Sequence, residues 1–445
     1  MKHRSAFKQA ALSFIAYCAL AAGTASSSVA PAPSHKANSV MRSTVHAEHE
    51  RTIDLLRRLV EQNSGTMNLE GVQRVGEIIR PELEQLGFTV QWEDMAAIGR
   101  AGHLIAKHRG ARGRRVLLVA HMDTVFEPSA NFSDFQRNGT RAVGPGIGDN
   151  KGGIVVIIAA LRAMQAAGTL KDANITVYLT GDEERLGRPV AVARAGLIAA
   201  SKEADAALEY EGLGSANGID YATVARRSSS GWELRTTGKS AHASSIFGQE
   251  TGFGAIYEMA RILDGFATQL PTEDVRINVG VLGGGSSTEI DADGAKAIVA
   301  GKVNIVAQSG LARGDLRTLT SEQDADVRAA MQKIAAQNRP GTRASITFFD
   351  SYPAMVATPR NRALLVELND VNRQLGLGEM PELPPSRRGA ADSGFISAHV
   401  ATLAGMGLDG DGSHAAGESA DLDSIKRQAL RSAVLISRLT QMPRD

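Results

Sequence analysis

One cysteine, two tryptophans and an aromatic content of 4% leave this 445-residue chain without several common structural devices. The cysteine, Cys18, lies near the amino terminus, so neither disulfides nor thiolate-bound zinc can belong to the rest of the chain. Stability must come from packing. The formal charge is close to balance at +1, which gives no reason to expect nucleic acid or an acidic membrane as partner. Long apolar runs are also missing. The apolar stretch at residues 10–22 is shorter than the roughly 20 residues a spanning helix requires, and no membrane anchor is expected. No Gly-x-Ser-x-Gly elbow occurs, which removes the commonest serine hydrolase signature.

What is present begins with Lys2, Arg4 and Lys8, no acid, the apolar stretch, and small residues through Ser28-Val29-Ala30. This order reads as a secretory signal peptide over residues 1–30, cut after Ala30 or, as a second choice, Ala25. Bulky Tyr17 before Cys18 argues against a lipoprotein site. The implied location is secreted or periplasmic, and removing three basic residues takes the charge to −2. About 415 residues remain, more than one hydrophobic core usually organises, so two domains are expected. Residues 31–45, rich in Pro, Ser and Ala, read as a flexible leader. A first domain is expected over 46–225 and 351–445, split by an inserted domain at 226–350.

Three β-prone runs each stop at a polar cluster and are followed by a helical pattern. They are residues 115–120 before His121, 175–180 before Gly181-Asp182-Glu183-Glu184, and 206–208 before Glu209. Such alternation predicts an α/β fold with a mixed, mostly parallel sheet covered by helices. Ligands of such sheets bind beyond the carboxyl ends of the strands, where these clusters fall. From about Arg226 the pattern changes. Alternating Trp232-Glu233-Leu234-Arg235-Thr236, β-like runs at 276–282, 296–306 and 310–319, and helices at 254–270 and 322–337 predict an α+β insert. Helical patterns return at 361–375 and 422–439.

Two histidines and several acids fall at these strand ends. His121-Met122-Asp123 puts a carboxylate within reach of an imidazole, and a ligating histidine is best oriented by such a group. The glycine-rich turn at residues 144–153 carries Asp149. A phosphate cradle is the rival reading, but Lys151 is not followed by Ser or Thr, and Asp149 would set a negative charge where phosphate should lie. Glu183-Glu184 can divide roles, one binding metal and the other serving as general base. His242 lies in the insert, away from this cluster, and alone reads as a turn residue.

Taken in order, His121-x-Asp123, Gly-x-Gly-x-Gly-Asp149-Asn-Lys-Gly-Gly, Gly-Asp-Glu183-Glu184, Glu209, Gly-Lys-Ser-Ala-His242 and Gly-Ser-His414 resemble the zinc peptidases related to glutamate carboxypeptidase, aminoacylase and succinyl-diaminopimelate desuccinylase. The resemblance implies a zinc-peptidase-like catalytic domain, an inserted dimerisation or lid domain, and two Zn2+ per subunit bridged by Asp149. It places His121 and Glu209 on one metal, Glu184 and His414 on the other. Glu211 also follows that strand, but Glu209 lies nearer the family spacing. Asp123 would orient His121, and Glu183 would activate a water shared by the metals. His242 would stabilise the oxyanion across a homodimer. Asn304 and Arg317, thirteen residues apart, would hold the substrate carboxylate together with the loop at Gly389. Carboxylate and imidazole ligands also accept Co2+ or Mn2+. The implied reaction releases a C-terminal amino acid, with glutamate the expected one, from a small peptide or N-acyl conjugate. An N-acyl-amino-acid deacylase or a dipeptidase is the alternative within the family. A non-catalytic secreted metal- or peptide-binding protein is the alternative outside it, and a spare Glu183 argues against that. The polar run 286–289 is expected to form an extended hairpin.

Overall fold

The computed structural model describes residues 34–444 except 112, 271–272 and 292–293. The expected signal peptide lies outside them. The larger sheet has six strands in the order Thr89–Asp94, Gly102–His108, Asn174–Thr180, Arg115–His121, Ala206–Glu209, Thr402–Leu403. The last four run parallel to one another, and the first two pair antiparallel at one edge.

Alternation along Arg115–His121 explains why both faces are covered. Val116, Leu118 and Ala120 join one apolar cluster, and Leu117 and Val119 join another on the opposite face. The helix Gly152–Ala166 is apolar around most of its circumference because it is sandwiched between the sheet and outer helices, chiefly Leu422–Leu439.

Residues 31–45 do not form a flexible leader over their described part. His35–Ala47 is a helix capped by the Ser34 side chain, with Met41 and Val45 buried one turn apart. The physical reason is docking: this helix packs on Gly152–Ala166 and Leu422–Leu439, far away in sequence.

The chain enters the second sheet at Ser229 and leaves it at Tyr352. Four antiparallel strands run in the order Arg276–Gly285, Ser309–Arg317, Ser229–Gly238, Thr342–Tyr352. Trp232, Leu234 and Leu316 project from one face onto Met259, Ile262 and Phe266 of the helix Gly254–Gln269, and onto Val327 and Met331 of Ser321–Ala335. This is an α+β insert with its own core. The β-like run 296–306 is shorter than expected. Only Ala297–Ala300 is a strand, paired with Ser287–Ile290 as a hairpin, and the chain from Gly301 onward turns away to carry Asn304. No helix among the described residues is long and apolar enough to cross a membrane.

Candidate active site

Parallel strands bring His121, the turn after Thr180 and the turn after Glu209 to one edge of the larger sheet. His121 pairs with Thr180, so the Glu183-Glu184 turn starts level with the imidazole. On the other side Val119 pairs with Glu209. Glu209 is therefore one side-chain step inside the strand, and Glu211, on the same face two residues later, is level with His121.

That register corrects the expectation for Glu209. Its Oε1 accepts the Ser393 backbone N–H at 2.7 Å, and its Oε2 lies 3.0 Å from Arg226 Nη2. Glu211 Oε1 instead stands 3.2 Å from His121 Nε2, with Oε2 3.7 Å from the same Arg226 nitrogen. Glu209 is a buried partner of Arg226, and Glu211 faces His121. The sequence contained both glutamates but not the strand register that separates them.

Asp149 occupies the centre. Its Oδ1 is 3.0 Å from His121 Nε2, and its Oδ2 is 3.2 Å from His414 Nε2, so one carboxylate spans both histidines. Glu184 Oε2 lies 3.1 Å from the same His414 nitrogen. A small sheet explains how His414 gets there: Gly410–Asp411 pairs with Ser419–Asp421, which pairs with Arg141–Val143 just before the glycine-rich turn. A side chain at Gly153 would collide with the Tyr210 carbonyl, which keeps this turn against the strand carrying the glutamates.

Asp123 orients more than the histidine. His121 Nδ1 contacts the Asp123 carbonyl at 3.0 Å and Oδ1 at 3.5 Å. The Asp123 carboxylate also accepts the backbone N–H of Glu183 and of Glu184, each at 3.0 Å, and the Thr66 hydroxyl at 2.6 Å. Tyr352, where the chain returns from the insert, donates its hydroxyl to the Glu183 carbonyl. The backbone of Glu183 is thus clamped at both ends. Arg194 binds Asp182 at 2.5 Å and Asp392 at 2.7 Å, fastening the Gly389 loop to the same turn. The Gly389 carbonyl accepts from Arg226 Nη1 at 3.2 Å.

The remaining expected residues separate into two places. Arg317 ends its strand at the hinge side, where Ser228 N–H donates to the Thr318 carbonyl. His242 and Asn304 meet at the other end, joined by Ala243 N–H to the Asn304 carbonyl, and both are exposed. The ten-residue strand between Ser229 and Gly238 holds them roughly 30 Å from the hinge.

These groups fit metal ions. His121, Asp149 and Glu184 offer ligand atoms within 4.8 Å of one another, as do His121, Glu183 and Glu211. Ligands on a tetrahedral zinc with bonds of about 2.0–2.1 Å are about 3.3 Å apart, close to the spacings here. Glu184 Oε1 is buried without a hydrogen-bond partner, an orphan that a cation would satisfy. Electrostatics agree. Burial pushes Glu184 up to about 7, and hydrogen bonds to Asp149 and Glu184 raise His414 to about 10. Burial pushes Glu183 well above the usual carboxylate range, opposed by His121 and reinforced by Glu211 and Glu184. Carboxylates crowded to this degree call for positive charge.

The chain is similar to known proteins. The chain is 25% identical over 440 residues to carboxypeptidase G2 of Pseudomonas sp. (strain RS-16), an alignment covering 97% of this chain and 98% of that one. Its fold is similar to aminopeptidase PepT from Bacillus cereus, with a TM-score of 0.70 and 18% identity over 88% of this chain and 98% of that one. It is also similar to the YXEP protein of Bacillus subtilis, described as a dinuclear metal-binding peptidase, with a TM-score of 0.61 and 16% identity over 89% and 99%. Residues 117–437, more than half of the chain, match Peptidase family M20/M25/M40, and the chain belongs to that family of metal-dependent peptidases and amidohydrolases.

Proposed function

We propose that this protein is a two-zinc carboxypeptidase that releases a C-terminal amino acid, glutamate foremost, from small peptides or N-acyl conjugates, and that it works as a secreted or periplasmic homodimer. The observation that carries the reading is the Asp149 carboxylate, spanning a His121–Glu211 set and a His414–Glu184 set with Glu183 beside them. His121, Asp149, Glu184, Glu211 and His414 would hold the metal ions, which when bound would supply Lewis acidity to a water and to the scissile carbonyl. Glu183 accepts the water's proton on a carboxylate oxygen and passes it to the departing amine nitrogen. Asp123 and Tyr352 keep that carboxylate on station through its backbone.

An acidic substrate is supported by the hinge end of the insert. Arg317 and Arg276 are direct cross-strand partners, and Arg227 precedes Ser228, which bonds the residue after Arg317. Arg317 is itself paired with Asp315 at 2.6 Å, and the guanidinium groups gathered here suit a substrate carboxylate as a further anion. The test is amino-acid release from free-acid substrates and their C-terminal amides, using protein loaded with zinc. Release from the acids only, with Arg317→Ala raising KM more than it lowers kcat, is expected. Equal cleavage of the amides would exclude a carboxypeptidase.

Dimerisation is supported by an exposed apolar edge. Val279 and Leu282 on the edge strand, Ile256 and Tyr257 on the adjacent helix, and Ile298 and Val299 on the hairpin are all solvent-facing in one chain. A partner covering this edge would also bring the partner's copy of His242 to a site that its own strand cannot reach. Mixed dimers of His242→Ala and Glu183→Ala subunits should recover activity absent from either parent, because one of the two sites then holds both intact groups. A verified mixed dimer as inactive as its parents would remove the shared site.

A further inference from the structure

The glycine-rich turn does hold an anion, and the chain supplies it. Glu418 Oε1 accepts the backbone N–H of Gly148 at 2.7 Å and of Asp149 at 2.9 Å, and Oε2 accepts that of Gly146 at 2.9 Å. Successive amides aimed at one point form an anion-binding nest, the same device that cradles phosphate. Here the occupant is a carboxylate 99% shielded from solvent. Its backbone is fixed as well, because the Glu418 carbonyl accepts Gly144 N–H at 3.0 Å and its N–H donates to the Ala415 carbonyl at 3.1 Å.

The connection matters for what each end carries. Asp149 is itself one of the three nest donors, and His414 lies four residues before Glu418 on the hairpin. His414 is half-exposed and has a left-handed backbone with φ of 65°, so burial does not fix its position. On the side of the glycine-rich turn the hairpin is held where Glu418 enters the nest, where Ser419–Asp421 pairs with Arg141–Val143, and where Arg141 reaches Asp411 and Ser419. We infer that Glu418 is the positioning residue of the metal site, an internal anion that locks the turn bearing Asp149 to the hairpin bearing His414 at ligand spacing. This rests on the metal reading of those two residues.

Two variants and two readouts test it. In metal-free protein, hydrogen exchange of the 144–153 segment should speed up in Glu418→Ala and slow again on adding formate, which fits the space and charge of the lost carboxylate. Zinc affinity should fall about ten- to a hundredfold, as when a group that orients a metal ligand is removed, and formate should restore part of it. Glu418→Gln keeps the shape but presents only one good acceptor, and should fall between wild type and Glu418→Ala. This variant decides the matter if Glu418→Ala does not fold. Unchanged exchange and affinity in the variants, or losses that formate never reverses, would overturn the inference by showing that packing rather than the anion sets the geometry. Failure of the wild type to bind zinc would instead sink the metal reading, and the exchange data would still decide whether Glu418 locks the turn.

Discussion

Replacing Glu183 by glutamine should leave metal content and fold intact and lower kcat at least about a thousandfold, toward the upper part of the range for a single general acid–base group. The fold should survive because the contacts that hold this residue belong to its backbone: the N–H goes to Asp123 and the carbonyl receives Tyr352. Glutamine preserves the side-chain shape and removes only its capacity to take a proton. KM should change little, since substrate anchoring is assigned to the insert. Parallel measurement of zinc content, melting temperature and turnover separates loss of chemistry from loss of site. Turnover within tenfold of wild type in pure, zinc-loaded protein would remove Glu183 as the base.

The two glutamates after the strand Ala206–Glu209 should give opposite phenotypes. Glu211→Ala should weaken zinc binding about a hundredfold or more, beyond the ten- to hundredfold typical of groups one shell further out, because it deletes the carboxylate facing His121. Glu209→Ala should act first on stability. It leaves Arg226 buried beside a missing partner, and breaking a buried ion pair costs about 3–5 kcal/mol. Calorimetric zinc titration and thermal melting of both variants read the difference. Zinc affinity lost with Glu209 and kept with Glu211 would reverse the assignment.

Local motifs carried most of the site. His121 with Asp123, Asp149 in its glycine turn and the Glu183-Glu184 pair each sit where an apolar strand or turn stops, so position along the chain already announced a sheet-edge cluster. Parallel pairing then places those ends side by side. The insert was legible for a similar reason, since alternating Trp232 and Leu234 mark a strand with one buried face. His35–Ala47 was not, because its short apolar stripe packs chiefly on helices more than a hundred residues away.

The alternation of strands and helices, the positions of His121, Asp149 and the Glu183-Glu184 pair at element ends, and the presence of a second core were legible along the chain, because each depends on neighbours within a few residues. Tertiary structure alone decided that Glu211 rather than Glu209 faces His121, since one pairing register between two strands sets which carboxylate is level with the imidazole. It also decided what fills the amide nest at Asp149. Glu418 lies 269 residues further along, and no local pattern can specify a contact that exists only after the sheet, its helices and the final hairpin have packed together.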